Sequence, residues 1–146
     1  MLFVYGTLQE AHVQGAVLGR PVPVTALQRA IAPGYRTVTY PGRVYPALMA
    51  SAAAAAPGLL LDDLSDLDIA VLDAFEGSEY RRAGIWVRVD GALQGADAYL
   101  PVLPVPAEAP AWSLADWIAR HKPAVLRTET GTAKALRQRL SARASR

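Results

Sequence analysis

The chain has 146 residues, 52% of them hydrophobic, a formal net charge of +2 and no cysteine. Such a length and composition suit one domain with its own core and exclude an intrinsically disordered chain. The lack of cysteine excludes a disulfide framework and a thiolate zinc site, and it fits a reducing compartment.

Met1-Leu2-Phe3-Val4-Tyr5 carries no basic leader and no long apolar run, so no signal peptide is read and a cytoplasmic location is expected. Leu2 to Tyr5 is instead a short buried strand, broken by Gly6, with Thr7-Leu8 in a tight turn. Glu10 to Leu18 fits a short helix ended by Gly19, with Pro21 just beyond. Val22 to Ile31 alternates loosely and reads as one or two strands. Pro33-Gly34 marks a turn, Tyr35 to Tyr40 another strand, and Pro41-Gly42 a further turn. Val44 to Leu61 is uncharged, but Pro46, Ser51, Pro57 and Gly58 interrupt it and its centre is alanine. It reads as a strand to Met49, a surface loop over Ser51 to Pro57 and a strand over Leu59 to Leu61, not as a membrane span.

A helix follows from Ser65 to Glu76. Ser65 caps it with Asp68 in the reciprocal position, and Gly77 ends it in the left-handed conformation. Ile69, Leu72 and Phe75 share one arc, and Glu76 falls about 40° from Leu72, on the apolar side. Glu76 also sits in the last turn, where the helix dipole disfavours negative charge. Two readings stand open: the carboxylate bends out to solvent, or it is held in a partly dry site with a raised pKa, able to move protons.

Tyr80 to Val89 is a long strand with Ile85, Val87 and Val89 on one face. Asp90-Gly91 suits a hairpin turn, with the next strand over Ala96 to Leu100. Pro101 to Pro110 is an extended loop. Ser113 caps another helix, with Asp116 opposite and Trp112 as a staple. It runs through Trp117, Ile118 and His121 until Pro123 interrupts it, and Thr128 to Leu140 forms a last helix. Many short strands, one central helix and a helical tail point to an α+β domain with a closed or nearly closed antiparallel sheet.

The chemistry narrows by elimination. His12 and His121 lie far apart in helical stretches, and no ligand cluster has metal spacing. Gly131-Thr132-Ala133-Lys134 lacks the first glycine and the preceding strand of a phosphate loop. Asp62, Asp63, Asp66 and Asp68 suit a solvated helix N-terminus. Arg127, Lys134, Arg137, Arg139, Arg143 and Arg146 make a basic tail with no aromatics, which reads as a solvated and frayed helix without a nucleic-acid footprint. What remains is Glu76 and the turn Tyr5-Gly6-Thr7-Leu8. Its glycine allows close approach and its amides can face an anion, although a plain strand-ending turn reads equally well.

Tyr5-Gly6-Thr7-Leu8 near the start, with Leu72-Asp73-Ala74-Phe75-Glu76-Gly77, Tyr80 and Arg82 further on, resembles the gamma-glutamylcyclotransferase-like superfamily, in its AIG2-like branch. Gly34-Tyr35-Arg36, Tyr45-Pro46-Ala47-Leu48 and Trp112-Ser113-Leu114 to His121 extend the resemblance over residues 1 to 125. That leaves 126 to 146 as a basic C-terminal helix or tail. The resemblance implies a small antiparallel β-barrel with flanking helices. In it, Tyr5, Gly6, Thr7 and Leu8 hold the γ-glutamyl group, Tyr80 stands near the cavity, and Glu76 is the catalytic acid/base. The implied reaction is intramolecular attack of the α-amine on the side-chain carbonyl, giving 5-oxoproline and a free amine, with no metal or cofactor. The implied partner is a small γ-glutamyl substrate, with neither nucleic acid nor membrane; the oligomeric state stays open. Gln9-Glu10 departs from the basic residues usual after this turn, and Glu79, the other nearby carboxylate, is expected to be exposed. A non-catalytic metabolite binder with the same cavity and an interaction module using the basic tail are the competing readings. Glu76 favours the enzyme, since an anion binder gains nothing from a buried carboxylate.

Overall fold

The computed structural model describes residues 1–144. Its strands are β1 (Leu2–Val4), β2 (Leu27–Thr39), β3 (Pro46–Leu61), β4 (Tyr80–Val89) and β5 (Ala92–Pro101). Its helices are α1 (Ala11–Leu18), α2 (Asp66–Glu76), α3 (Leu114–Arg120) and α4 (Lys122–Ala144). The strands form one sheet in the order β1-β3-β2-β4-β5, which closes on itself where β1 meets β5. That seam is parallel, pairing Leu2 with Asp97, while the other neighbours are antiparallel. The fold is therefore the α+β arrangement read from the sequence, with a mixed sheet instead of a purely antiparallel one.

β1 is buried on both faces, which explains its unbroken apolar run. Phe3 and Tyr5 point into the barrel with Leu48, Leu60, Val87 and Ala98. Leu2 and Val4 point the other way, under Val17, Leu72 and Trp117 of the helices. Burial on both sides lets the strand deliver the following turn, Tyr5 to Gln9, to the boundary between barrel and helices.

Three expectations change within the sheet. Pro33-Gly34 is not a turn between strands; it lies within one strand, and the register with β3 shifts there. Pro33 pairs with Ala55 and Tyr35 with Ala50, so Ser51 to Ala54 face Gly34 alone as a wide bulge. The alanine stretch is accordingly part of a continuous 16-residue strand, not a loop joining two. Alanine has weak strand preference, but pairing with β2 overrides it. Asp90 and Gly91, with φ of 50° and 82°, make a two-residue hairpin that pairs Val89 directly with Ala92, so β5 starts four residues before the expected Ala96.

α2 begins as read. Ser65 Oγ accepts from the Asp68 amide at 3.0 Å, and Asp68 Oδ2 accepts from the Ser65 amide at 2.9 Å. Gly77 has the positive φ expected (67°), but its ψ of −153° is not the left-handed helical value. It lies in a region open essentially to glycine, and it turns the chain sharply into the short turn that presents Glu79 and Tyr80.

The helix break falls at His121, and Pro123 sits in the first turn of α4, where it removes no helical hydrogen bond. α4 thus starts six residues before the expected Thr128. It is anchored on α1 and not solvated throughout: Ala133 is fully buried, and Arg137 Nη1 donates to the carbonyls of Ala16 and, at 2.7 Å, Val17. A cation at a helix C-terminus bonded to its last carbonyls complements both the unpaired acceptors and the dipole. Arg137→Ala is expected to cost about 1–3 kcal/mol in chemical denaturation. The Gly131 to Lys134 run is plain helix within α4. No helix among the described residues is long and apolar enough to cross a membrane.

Candidate active site

A cavity of about 510 Å³ opens between the barrel rim and the helices. Such a volume lies in the usual range for small-molecule sites, roughly 300–1,000 Å³. Tyr5, Gly6, Thr7, Leu8, Glu76 and Tyr80, which are spread over 76 residues of sequence, all line it.

The turn is held from three sides. Tyr5 donates its hydroxyl to the Tyr99 carbonyl at 2.5 Å. Leu8 is buried, and its carbonyl accepts from the buried Gln14 side chain of α1 at 2.7 Å. Gly6 packs so closely on Pro46 that an added Cβ would lie 2.7 Å from the proline ring. Its glycine is therefore demanded by the neighbouring strand end rather than only by an approaching ligand. Thr7 to Gln9 form a single 3-10 turn. The amides that open it have no carbonyl one turn earlier to bind, so they are free to meet an anionic group.

Glu76 ends α2. It keeps partial exposure, but that exposure is to the cavity. Burial, and then the charge of Glu79, push its carboxyl up to about 7. Its place at the helix C-terminus acts in the same direction. The segment carrying it is fixed by Asp73, which accepts from Arg82 Nε at 2.9 Å and from the Tyr99 hydroxyl at 2.8 Å. Arg82 also bonds Asp97 at 2.9 Å, tying α2 to β4 and β5.

Glu79 is not the exposed neighbour expected. Arg43 Nε donates to it at 2.6 Å, and the Tyr45 hydroxyl donates to its other oxygen in a very short hydrogen bond. The Tyr45 hydrogen bond first, and then Arg43, hold its carboxyl below the usual carboxylate range. Two carboxylates three residues apart are thus driven in opposite directions, which separates a proton-transfer group from a fixed charge. Glu79→Gln should lower the pKa of Glu76, and a pH titration of the site by carboxyl-selective NMR would show the midpoint moving below 7.

Tyr40, Tyr45 and Tyr80 form a ring cluster with centroids 5.5–6.2 Å apart. Tyr80 donates to the Pro46 carbonyl at 2.5 Å and Tyr40 to the Glu79 carbonyl at 3.1 Å. Burial pushes the phenols of Tyr5, Tyr80 and Tyr99 far up, so they remain neutral donors. Sequence reasoning missed Gln14, Arg43 and Tyr45. Each reaches the site by folding from elsewhere in the chain; Tyr45 lies in a stretch that carried the resemblance but was given no role, and no local pattern marks Gln14 or Arg43. It also missed Val125, Leu126 and Glu129 of α4, which complete the cavity wall.

A family model described as "Gamma-glutamyl cyclotransferase, AIG2-like" matches residues 2–131. "AIG2-like protein D" of Arabidopsis thaliana is 36% identical over 86 residues, covering 59% of this chain and 55% of that protein. "AIG2-like protein A" of the same organism is 28% identical over 130 residues, covering 87% of this chain and 77% of that protein. The chain spans about half the length of AIG2-like protein D, and of "AIG2-like protein C" of the same organism, of which it covers 48% at 35% identity. A solution structure from Arabidopsis thaliana superposes with a TM-score of 0.64 at 26% identity, covering 87% of this chain and 85% of that one.

Proposed function

This chain belongs to the gamma-glutamyl cyclotransferase, AIG2-like family, and from that premise we propose that it cyclises a small γ-glutamyl amine or peptide, releasing 5-oxoproline and a free amine. The observation that carries the reading is Glu76, a cavity-facing carboxyl with a pKa near 7, set in the same hollow as the Tyr5 to Leu8 turn.

The chemistry follows from the groups present. A γ-glutamyl α-ammonium cannot attack until it loses a proton, and Glu76 is poised to accept one near neutral pH. The freed nitrogen attacks the γ-carbonyl carbon in the same molecule and closes a five-membered ring. As the tetrahedral centre collapses, the bond to the departing nitrogen breaks and Glu76 returns the proton to it. Nucleophile and electrophile are already tethered, so the protein's main task is to hold a ring-closing conformer. The turn amides beside Gly6 suit the substrate carboxylate or the developing oxyanion. Tyr5, Tyr45 and Tyr80 line the same hollow and add polar hydroxyls to it.

The test is 5-oxoproline release from a panel of γ-glutamyl amines and dipeptides, with Glu76→Gln alongside. Release that survives the substitution removes Glu76 from the mechanism. No release from any substrate leaves a metabolite-binding protein of the same fold.

A further inference from the structure

The cavity walls differ in character from end to end. Near Glu76 they are polar. On the helix side they are apolar, built by Val13 and Val17 of α1, Trp117 of α3, and Val125 and Leu126 of α4. Glu129 lines the same cavity. It lies four and three residues after Val125 and Leu126, so the three share one face of α4. Its helical neighbours on the other side are Thr132 and Ala133, neither of them basic. Glu129 is half-buried and forms no ion pair or side-chain hydrogen bond among the described residues. It is also the lone acidic residue of α4; Lys122, two turns earlier on the same face, is already paired with Glu10 at 2.8 Å.

The charges around the cavity point the same way. Its lining contains Glu76, Glu79 and Glu129 and no Lys, Arg or His. Glu79 is already satisfied by Arg43 and Tyr45. A departing group with a carboxylate would therefore meet an apolar wall and an unpaired anion, with no cation to receive it. A departing group with a short apolar chain and a terminal ammonium would cover the wall and pair with Glu129.

Resting on the cyclotransferase reading, we propose that Glu129 is a specificity residue selecting γ-glutamyl amides of cationic alkylamines over those of amino acids and peptides. The γ-glutamyl head lies at Glu76 and the turn; the amine's chain lies along α1 and α4 and ends at Glu129.

Three substrates matched in length separate the possibilities: the γ-glutamyl amides of 1,4-diaminobutane, butylamine and 4-aminobutyrate, ending in ammonium, methyl and carboxylate. The ratio of kcat/KM between the ammonium and carboxylate tails should be at least about tenfold in the parent protein and should shrink with added salt. Glu129→Gln should lower that ratio about tenfold, and Glu129→Lys should invert it. Equal use of the two tails, or a preference that survives Glu129→Gln, overturns the assignment. Calorimetric binding of the same three compounds to Glu76→Gln distinguishes the two failures. If ammonium-tail binding depends on Glu129 but the parent protein releases no 5-oxoproline, the cyclotransferase reading falls and Glu129 keeps its role. Where release occurs and binding ignores the tail, only the Glu129 proposal falls, and if no compound binds or reacts, both fall.

Discussion

Glu76→Gln is expected to lose 5-oxoproline release by about 10²- to 10⁴-fold while unfolding at a higher temperature than the parent protein at pH 8. The two effects share one cause. Burial and the neighbouring Glu79 raise the Glu76 carboxyl to about 7, well above its unfolded value. The folded state therefore holds the Glu76 proton more tightly than the unfolded state does. That contribution to stability is fully present below about pH 4.5. It fades as pH rises, and it is gone once pH passes the folded value near 7. Above that point the folded protein carries a charged carboxylate in a partly dry site, at a cost of up to about 3 kcal/mol. Glutamine keeps the shape and removes the charge. It should stabilise the protein at pH 8 and change little at pH 4, as measured by urea denaturation at both. That outcome would fit the proton-transfer role proposed for Glu76. If the variant is instead less stable at pH 8, Glu76 is a structural acceptor and the proton-transfer role goes with it. A parent pH profile with an acid limb near 7 is the kinetic counterpart.

Gly58→Ala should be among the most damaging single substitutions in the barrel. Gly58 is buried in β3 where it passes β1, and a Cβ there would lie 2.4 Å from the Val4 carbonyl oxygen and 2.7 Å from the Phe3 ring. The Phe3 ring can rotate a little, but the carbonyl is backbone and can yield only if β1 itself moves. Three-residue β1 has pairings with β3 over its whole length, Leu2 to Leu61, Phe3 to Leu60 and Val4 to Leu59, so displacing it loosens the seam of the sheet. The expected cost is about 3 kcal/mol or more in denaturation. Because β1 leads straight into the Tyr5 to Leu8 turn, cyclisation should fall in the protein that still folds. Gly84→Ala is the control. Nothing lies within 4 Å of its added Cβ, and an exposed strand glycine gains slightly from a side chain, so stability should hold or rise by about 0.5 kcal/mol.

Some of this was legible in the residues before any coordinates. Ser65 and Asp68 announced the start of α2 because a capping box is satisfied within four consecutive residues. Asp90-Gly91 announced its hairpin for a similar reason. The apolar run Leu2 to Tyr5 announced a strand covered on both faces. Local signals failed where partners are distant. Pro33-Gly34 has the composition of a turn, and only pairing with Ala50 and Ala55 makes it a bulge within a strand. The alanines of β3 carry almost no periodic signal of their own, and β2 decides their conformation. The C-terminal helix looked like a solvated basic tail, because charge counts alone cannot show that Arg137 reaches the end of α1.

By itself the sequence settled the class of fold, the position of the one helix that carries Glu76, and the nearness of that carboxyl to an apolar face. Those are properties of short segments, fixed by capping, helical period and turn chemistry. Only the tertiary structure decided that Glu79 is pinned by Arg43 and Tyr45 while Glu76, among the described residues, has no such partner in the hollow, and that α4 supplies part of the wall with Glu129 in it. A pKa depends on the dielectric and the charges that surround a group in space, and those neighbours come from separate stretches of chain that meet only once the sheet has closed.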